Sequence, residues 1–279
     1  MPWFGACPNR VPPDCAPTSA PHVQVIYARA SDAPDRFETM APKVRKLVEL
    51  ATGAIDREAR LFEHEGRIRV ACKDGQADVA NVVLAVTAEN ATFRRIKDDL
   101  AAVGYGRAGV KYWVWYDGRS IEGVAGLGDF RQDHRLAPDN ENVIERGYAV
   151  TFGIESWIVM LHELAHTMGA VQRSSPNATA YGHCLDGQDI MCYDDRFLDP
   201  RTTRDLMPYN PAACIDYEHF DCNHDDYFHP EPPPGSYLAT HWNLAHPYNV
   251  YLRVTRASSI EDSGKLGANP KPLVQVGET

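Results

Sequence analysis

Between Trp157 and Gly169 the chain reads WIVMLHELAHTMG. Trp157, Met160, Leu161, Leu164 and Met168 recur at i, i+3, i+4, i+7 and i+11, the spacing of one apolar face of an α-helix. So dense a stripe needs a core to lie against, and it carries His162, Glu163 and His166 into that core's margin. Gly169 can take the left-handed conformation that ends a helix and redirects the chain. Any fold open to this chain must bury that helix while leaving two histidines and a carboxylate placed for use.

The residues upstream supply something to bury it against. HVQVIYARA, RIRVACK, VANVVLAV, KYWVWYD and YAVTFG read as strands, rich in β-branched and aromatic residues. Met40, Val44, Val48 and Ala51 fall at helical spacing, and TFRRIKDDLAAVGY reads as a second helix ending near Gly104. Alternating strands and helices imply an α/β lobe with a mostly parallel or mixed sheet. After Gly169 the periodicity fades and Pro, Asp, His and Asn dominate. The expected plan is a Pro- and Cys-rich arm (1–21), an α/β subdomain with the motif helix (22–169), an irregular subdomain (170–252) and a loose tail (253–279).

Lys+Arg 28 against Asp+Glu 38 leave a formal net charge of −10 over 279 residues, with no basic run to suit nucleic acid. No apolar run is long enough to span a bilayer. The opening MPWFGACPNRVPPDCAPTSAP has neither a basic nor an apolar leader region. Six of the seven cysteines nevertheless fall into equally spaced pairs, Cys7/Cys15, Cys184/Cys192 and Cys214/Cys222. Local pairing is the simplest connectivity, leaving Cys72 over. Disulfides on this scale need an oxidising compartment, so the expectation is a mature secreted form.

His162 and His166 are four residues apart, one turn above each other on one helix face. Two imidazoles so placed can converge on one zinc ion, while Glu163 points aside as a general base. A third ligand must come from elsewhere. His183, Gln172, Asp186 and Asp189 are the candidates that the following residues offer. Gln172 comes second to His183 although a neutral amide oxygen binds zinc poorly beside imidazole or carboxylate, and Asp186 or Asp189 come after it. DCNHDDYFH, Asp221 to His229, could supply oxygen ligands to calcium.

HELAHTMG, followed by DIMCY, resembles the metzincin zinc endopeptidases. Their pattern is HExxHxxGxxH, or Asp in the last place, with a methionine turn beneath the metal. His162 to Gly169 match; Gln172 stands where the third histidine belongs. Met191 resembles the turn methionine, and His183, eight residues before it, lies at a ligand-like distance as in the matrix metallopeptidases. AVQRSSPNATAYG then looks like an insertion. Tyr193 is similar in position to a tyrosine of astacins and serralysins that reaches the metal or the oxyanion. From Gly182 to Tyr251, FDCNHDDYF and GSYLATHWN are similar in character to actinobacterial secreted metzincin-like proteins.

The resemblance implies a secreted zinc endopeptidase with Glu163 as base and a peptide or protein substrate aligned on an edge strand within Gly118–Gly153. A Cys184–Cys192 bridge would brace the ligand loop against the turn. The alternatives are a zinc amidase acting on cell-wall peptides and a non-catalytic zincin-like binding module. Glu163, kept between two intact ligands, speaks against the second of these.

Overall fold

A computed structural model describes residues 7–119, 124–193, 195, 214 and 218–257, and all structural statements concern these. The sheet is built from β1 (Asp14–Ala16), β2 (His22–Arg29), β3 (His64–Lys73), β4 (Gln76–Ala77), β5 (Val79–Val83), β6 (Val110–Asp117), β7 (Gly126–Gly128), β8 (Gly147–Phe152) and β9 (Leu252–Arg256). Its main path runs β1-β3-β2-β6-β8-β7. The centre is parallel: β2 pairs β6 from His22↔Val110 to Arg29↔Asp117, and β6 pairs β8 from Lys111↔Gly147 to Tyr116↔Phe152. Along this path only β7 runs antiparallel to its neighbour, β8; off it, β4 and β9 pair antiparallel with β3.

Every residue of β6 and β8 is buried, as expected of parallel strands covered on both faces. One face carries α1 (Phe37–Arg60) and α4 (Trp157–Met168), packed with Val25, Trp113 and Trp115 in a core that continues into Phe220, Trp242 and Tyr251. The other carries α2 (Phe93–Ala102), whose Ile96 and Leu100 pack on Ile26, Val114 and Val150. Two short helices, α3 (Glu141–Ile144) and α5 (Tyr237–Thr240), complete the set. The molecule is thus mixed α/β.

The apolar stripe of α4 is buried as its spacing requires. Ser156 caps the N-terminus by accepting from Val159 N at 3.3 Å. At the other end Gly169 sits at φ 88°, with Gly169 N donating to His166 O and Ala170 N to Ala165 O, both at 3.0 Å. That is a Schellman motif. Trp113 and Trp242 donate their indole N–H groups to Met160 O and Met168 O at 2.7 and 2.8 Å, locking the helix to the sheet below and to the irregular region beyond.

One disulfide expectation is corrected. Cys7 is free and exposed, and Cys15 is joined to Cys72. Pairing of β1 with β3 sets Cys15 opposite Val70 and brings the Cys15 and Cys72 Cα atoms to 5.3 Å across a separation of 57 residues. Strand register, which local spacing cannot reveal, decides the partner. The arm is therefore stitched to the sheet instead of looped on itself. Cys184–Cys192 and Cys214–Cys222 are present. At the far end, Leu252–Arg256 are not loose: they pair antiparallel with β3 from His64↔Arg256 to Ile68↔Leu252.

Candidate metal centre

Helix geometry brings His162 and His166 together, with their Nε2 atoms 3.0 Å apart. His183 arrives from the loop after the helix, its Nε2 3.2 Å from His166 Nε2. Three imidazole nitrogens facing one another this closely cannot all satisfy each other as donors and acceptors. A metal ion removes the conflict: bonds of about 2.0–2.1 Å in a tetrahedron place neighbouring donors about 3.3–3.4 Å apart. The donor set therefore fits an ion with a taste for nitrogen, and the three residues form a group able to hold one. Burial, with the neighbouring His183 as a lesser cause, pushes His162 down to about 4. Burial, then His162 and His183, takes His166 well below its usual value. Both rings are held neutral, the form that offers a lone pair.

The loop that delivers His183 is tightly tied. Thr179 N donates to His183 O at 2.7 Å, and Cys184 is bridged to Cys192. Cys184 N also donates to Met191 O at 3.3 Å. Met191 is fully buried. Asp189 organises this turn: it accepts from Met191 N at 2.6 Å, Cys222 N at 2.7 Å and the Tyr227 hydroxyl at 2.8 Å. Burial pushes its carboxyl up to about 8.

Gln172 is buried, with its amide nitrogen donating to Arg131 O at 3.0 Å and Gly169 O at 2.9 Å. It ties the end of α4 to the segment after β7. Asp186 groups with Asp225 and Asp226, apart from the histidines. Calcium gains no support from Asp221, both of whose oxygens accept from backbone N–H groups, of Asp226 at 3.3 Å, Tyr227 at 2.7 Å and Phe228; the Asp186, Asp225 and Asp226 carboxylates do meet, but such acidic groups are common without an ion.

Glu163 is 6 % exposed, and burial pushes its carboxyl up to about 8. The strand β7 lies directly against it. A Cβ on Gly126 would stand 2.6 Å from Glu163 Oε1, and one on Gly128 2.6 Å from Glu163 O and 2.9 Å from His166 Cβ. Only glycine allows a strand so close to the helix. Sequence reasoning placed an edge strand in this region but not the role of its two glycines, which depends on what packs across from them. Tyr193 is half-exposed at the rim, its ring centroid 4.2 Å from that of His183 and 5.9 Å from that of His162. Burial, then the charges of Glu163 and Asp195, raises its hydroxyl to about 12, so it is a neutral donor.

No family model and no curated protein matches the chain. Among solved structures it is similar to wild-type OgpA from Akkermansia muciniphila, at 10% identity over 81% of this chain and 68% of that one, TM-score 0.37. Catalytically inactive OgpA in complex with an O-glycopeptide substrate matches at 9% identity and TM-score 0.34, over 57% of this chain and about half (50%) of its own length. Archaemetzincin from Methanopyrus kandleri matches at 15% identity, over 65% of this chain and 86% of its own, TM-score 0.30. All three likenesses are remote, with identities of 15% or less and TM-scores of 0.37 or less. Chemistry at this centre is therefore read from its own side chains and not from these neighbours.

Proposed function

We propose that the chain is a zinc-dependent endopeptidase of metzincin type that works outside the reducing cytoplasm. The observation that carries this reading is the meeting of the His162, His166 and His183 Nε2 atoms beside a buried Glu163. A zinc ion held by these three rings supplies Lewis acidity toward the scissile carbonyl and toward water. Beside a bound dication the Glu163 carboxyl would be drawn back to its ionised form, and Glu163, next to a ligand but not one itself, would accept the proton of the attacking water and deliver it to the leaving amine. Tyr193 keeps its proton and can donate to the oxygen that gains negative charge.

Substrate alignment is a property of β7. Ala125 O accepts from Phe152 N at 2.9 Å and Asp129 N donates to Tyr148 O at 2.9 Å, so alternate residues of this strand are spent on β8. The backbone groups of Gly126 and Gly128 point the other way. Among the described residues no strand pairs with that edge. An extended peptide can add there and lie across the histidines. Three disulfides, one of them bracing the His183 loop, suit an oxidising compartment, and no helix among the described residues is long and apolar enough to cross a membrane.

Casein digestion by purified protein, with and without a chelator, tests the proposal. Cleavage lost on chelation and restored by zinc is expected. A zinc-loaded protein inert toward casein and a panel of peptides contradicts it.

A further inference from the structure

The three imidazoles meet at Nε2, but their Nδ1 atoms are held in three different ways. His162 Nδ1 lies 2.7 Å from Ile190 O. His166 Nδ1 is buried with no hydrogen-bond partner. His183 Nδ1 lies 3.0 Å from Asp195 Oδ2. Among the described residues, only the His183 ring of the three is backed by a carboxylate.

Asp195 is itself prepared for this. It is 2 % exposed, and the same Oδ2 accepts from the Thr179 hydroxyl at 2.6 Å. Thr179 also holds the histidine's backbone: its N–H donates to His183 O at 2.7 Å and its Oγ1 accepts from His183 N at 3.3 Å. One threonine thus fixes both the residue that carries the ring and the carboxylate behind the ring. His162 and His166 need less help, because α4 dictates where they point. A ring delivered by a loop has no helix to orient it.

We propose that Asp195, oriented by Thr179, is a positioning residue for His183, setting the ring's rotation and tautomer toward the metal. The inference rests on the zinc reading of the three histidines. A carboxylate at Nδ1 holds the proton there, which leaves the Nε2 lone pair aimed at the other two rings and makes that nitrogen a better donor. It also sets a negative charge behind a dication otherwise bound by neutral ligands. Asp195 stands on the far side of the ring from the donor atoms and is not part of the ligand group.

The test measures zinc affinity of the full-length chain by chelator competition for wild type, Asp195→Ala, Asp195→Asn and Thr179→Val. Asp195→Ala is expected to weaken zinc about 10–100-fold, the usual cost of losing such a partner. Asp195→Asn, which keeps the shape and can still accept from Nδ1, is expected to lose a smaller factor, as is Thr179→Val. In the zinc-loaded wild type the His183 Nδ1 proton should give a slowly exchanging downfield NMR signal, absent in Asp195→Ala. Affinities within twofold of wild type for both Asp195 variants overturn the proposal. Should Asp195→Ala not fold, Asp195→Asn decides alone, by the same criterion. Because the readout is affinity, a wild type that binds zinc but cleaves nothing leaves this test intact. A wild type that binds no zinc removes the zinc reading and this inference together.

Discussion

Gly126 and Glu163 are packed so tightly that any side chain on the glycine would take the place of the carboxylate: its Cβ would lie 2.6 Å from Glu163 Oε1 and from Cγ. The obstructing atoms are the free end of a side chain, so Gly126→Ala can be accommodated by turning Glu163 away. The expected result is a loss of about 10²-fold in kcat/KM, the scale of a misplaced catalytic group, with zinc content and Tm nearly unchanged. Activity near wild type contradicts the placement.

At Gly128 the same substitution meets rigid atoms, the Glu163 carbonyl and His166 Cβ. Neither can move without shifting α4. Gly128→Ala is therefore expected to destabilise the fold by about 1–3 kcal/mol, read by denaturant unfolding. A midpoint equal to wild type would show that β7 stands further off the helix.

Glu163→Gln is expected to abolish hydrolysis, by about 10²–10⁴-fold or more, while zinc stays bound, since the proposed base is not a ligand. Loss of the metal in this variant would place Glu163 in the ligand set and refute the assignment.

Lys111 gives a prediction about pH. Its ammonium is buried, donates to Glu145 O at 2.9 Å and sits 5.0 Å from the Tyr251 ring centroid. Burial, then the Arg131 charge, pushes it down to about 7. Between about pH 7 and the ordinary lysine value near 10.4 the unfolded chain binds a proton that the folded chain does not. Stability carried by this group therefore rises with pH across that window, and below it the buried charge costs up to about 5 kcal/mol. Lys111→Met is expected to be more stable than wild type at pH 7, with the advantage shrinking toward pH 10. A stability difference that does not change over this range contradicts it.

What could be read from the chain divides by range. The α4 stripe and its glycine stop are local patterns, and the helix runs Trp157–Met168. The grouping of His183 with the motif histidines could be anticipated by counting back from Met191. Partners fixed by tertiary packing could not. Cys15 meets Cys72 through strand register. Asp189, weighed as a ligand, is spent on the turn that holds Met191. Asp195 and the two glycines of β7 carry no motif, since their meaning lies in atoms far away in sequence.

The cysteine assignment is checked by non-reducing peptide mapping. A Cys15–Cys72 peptide and an alkylatable Cys7 are expected. Cys15→Ser should cost on the order of 4 kcal/mol in the chain-entropy picture of a loop this long. A Cys7–Cys15 peptide would restore the local pairing and undo the stitching of the arm.

Zinc content per chain, measured in His183→Ala beside Gln172→Ala, tests the central claim most directly. His183 Nε2 lies 3.2 Å from His166 Nε2, whereas the Gln172 amide nitrogen is committed to two backbone carbonyls. About one zinc per chain is predicted in wild type and in Gln172→Ala, as for a single three-ligand site, with a steep loss in His183→Ala. Zinc retained in His183→Ala and lost in Gln172→Ala would contradict the three-histidine centre.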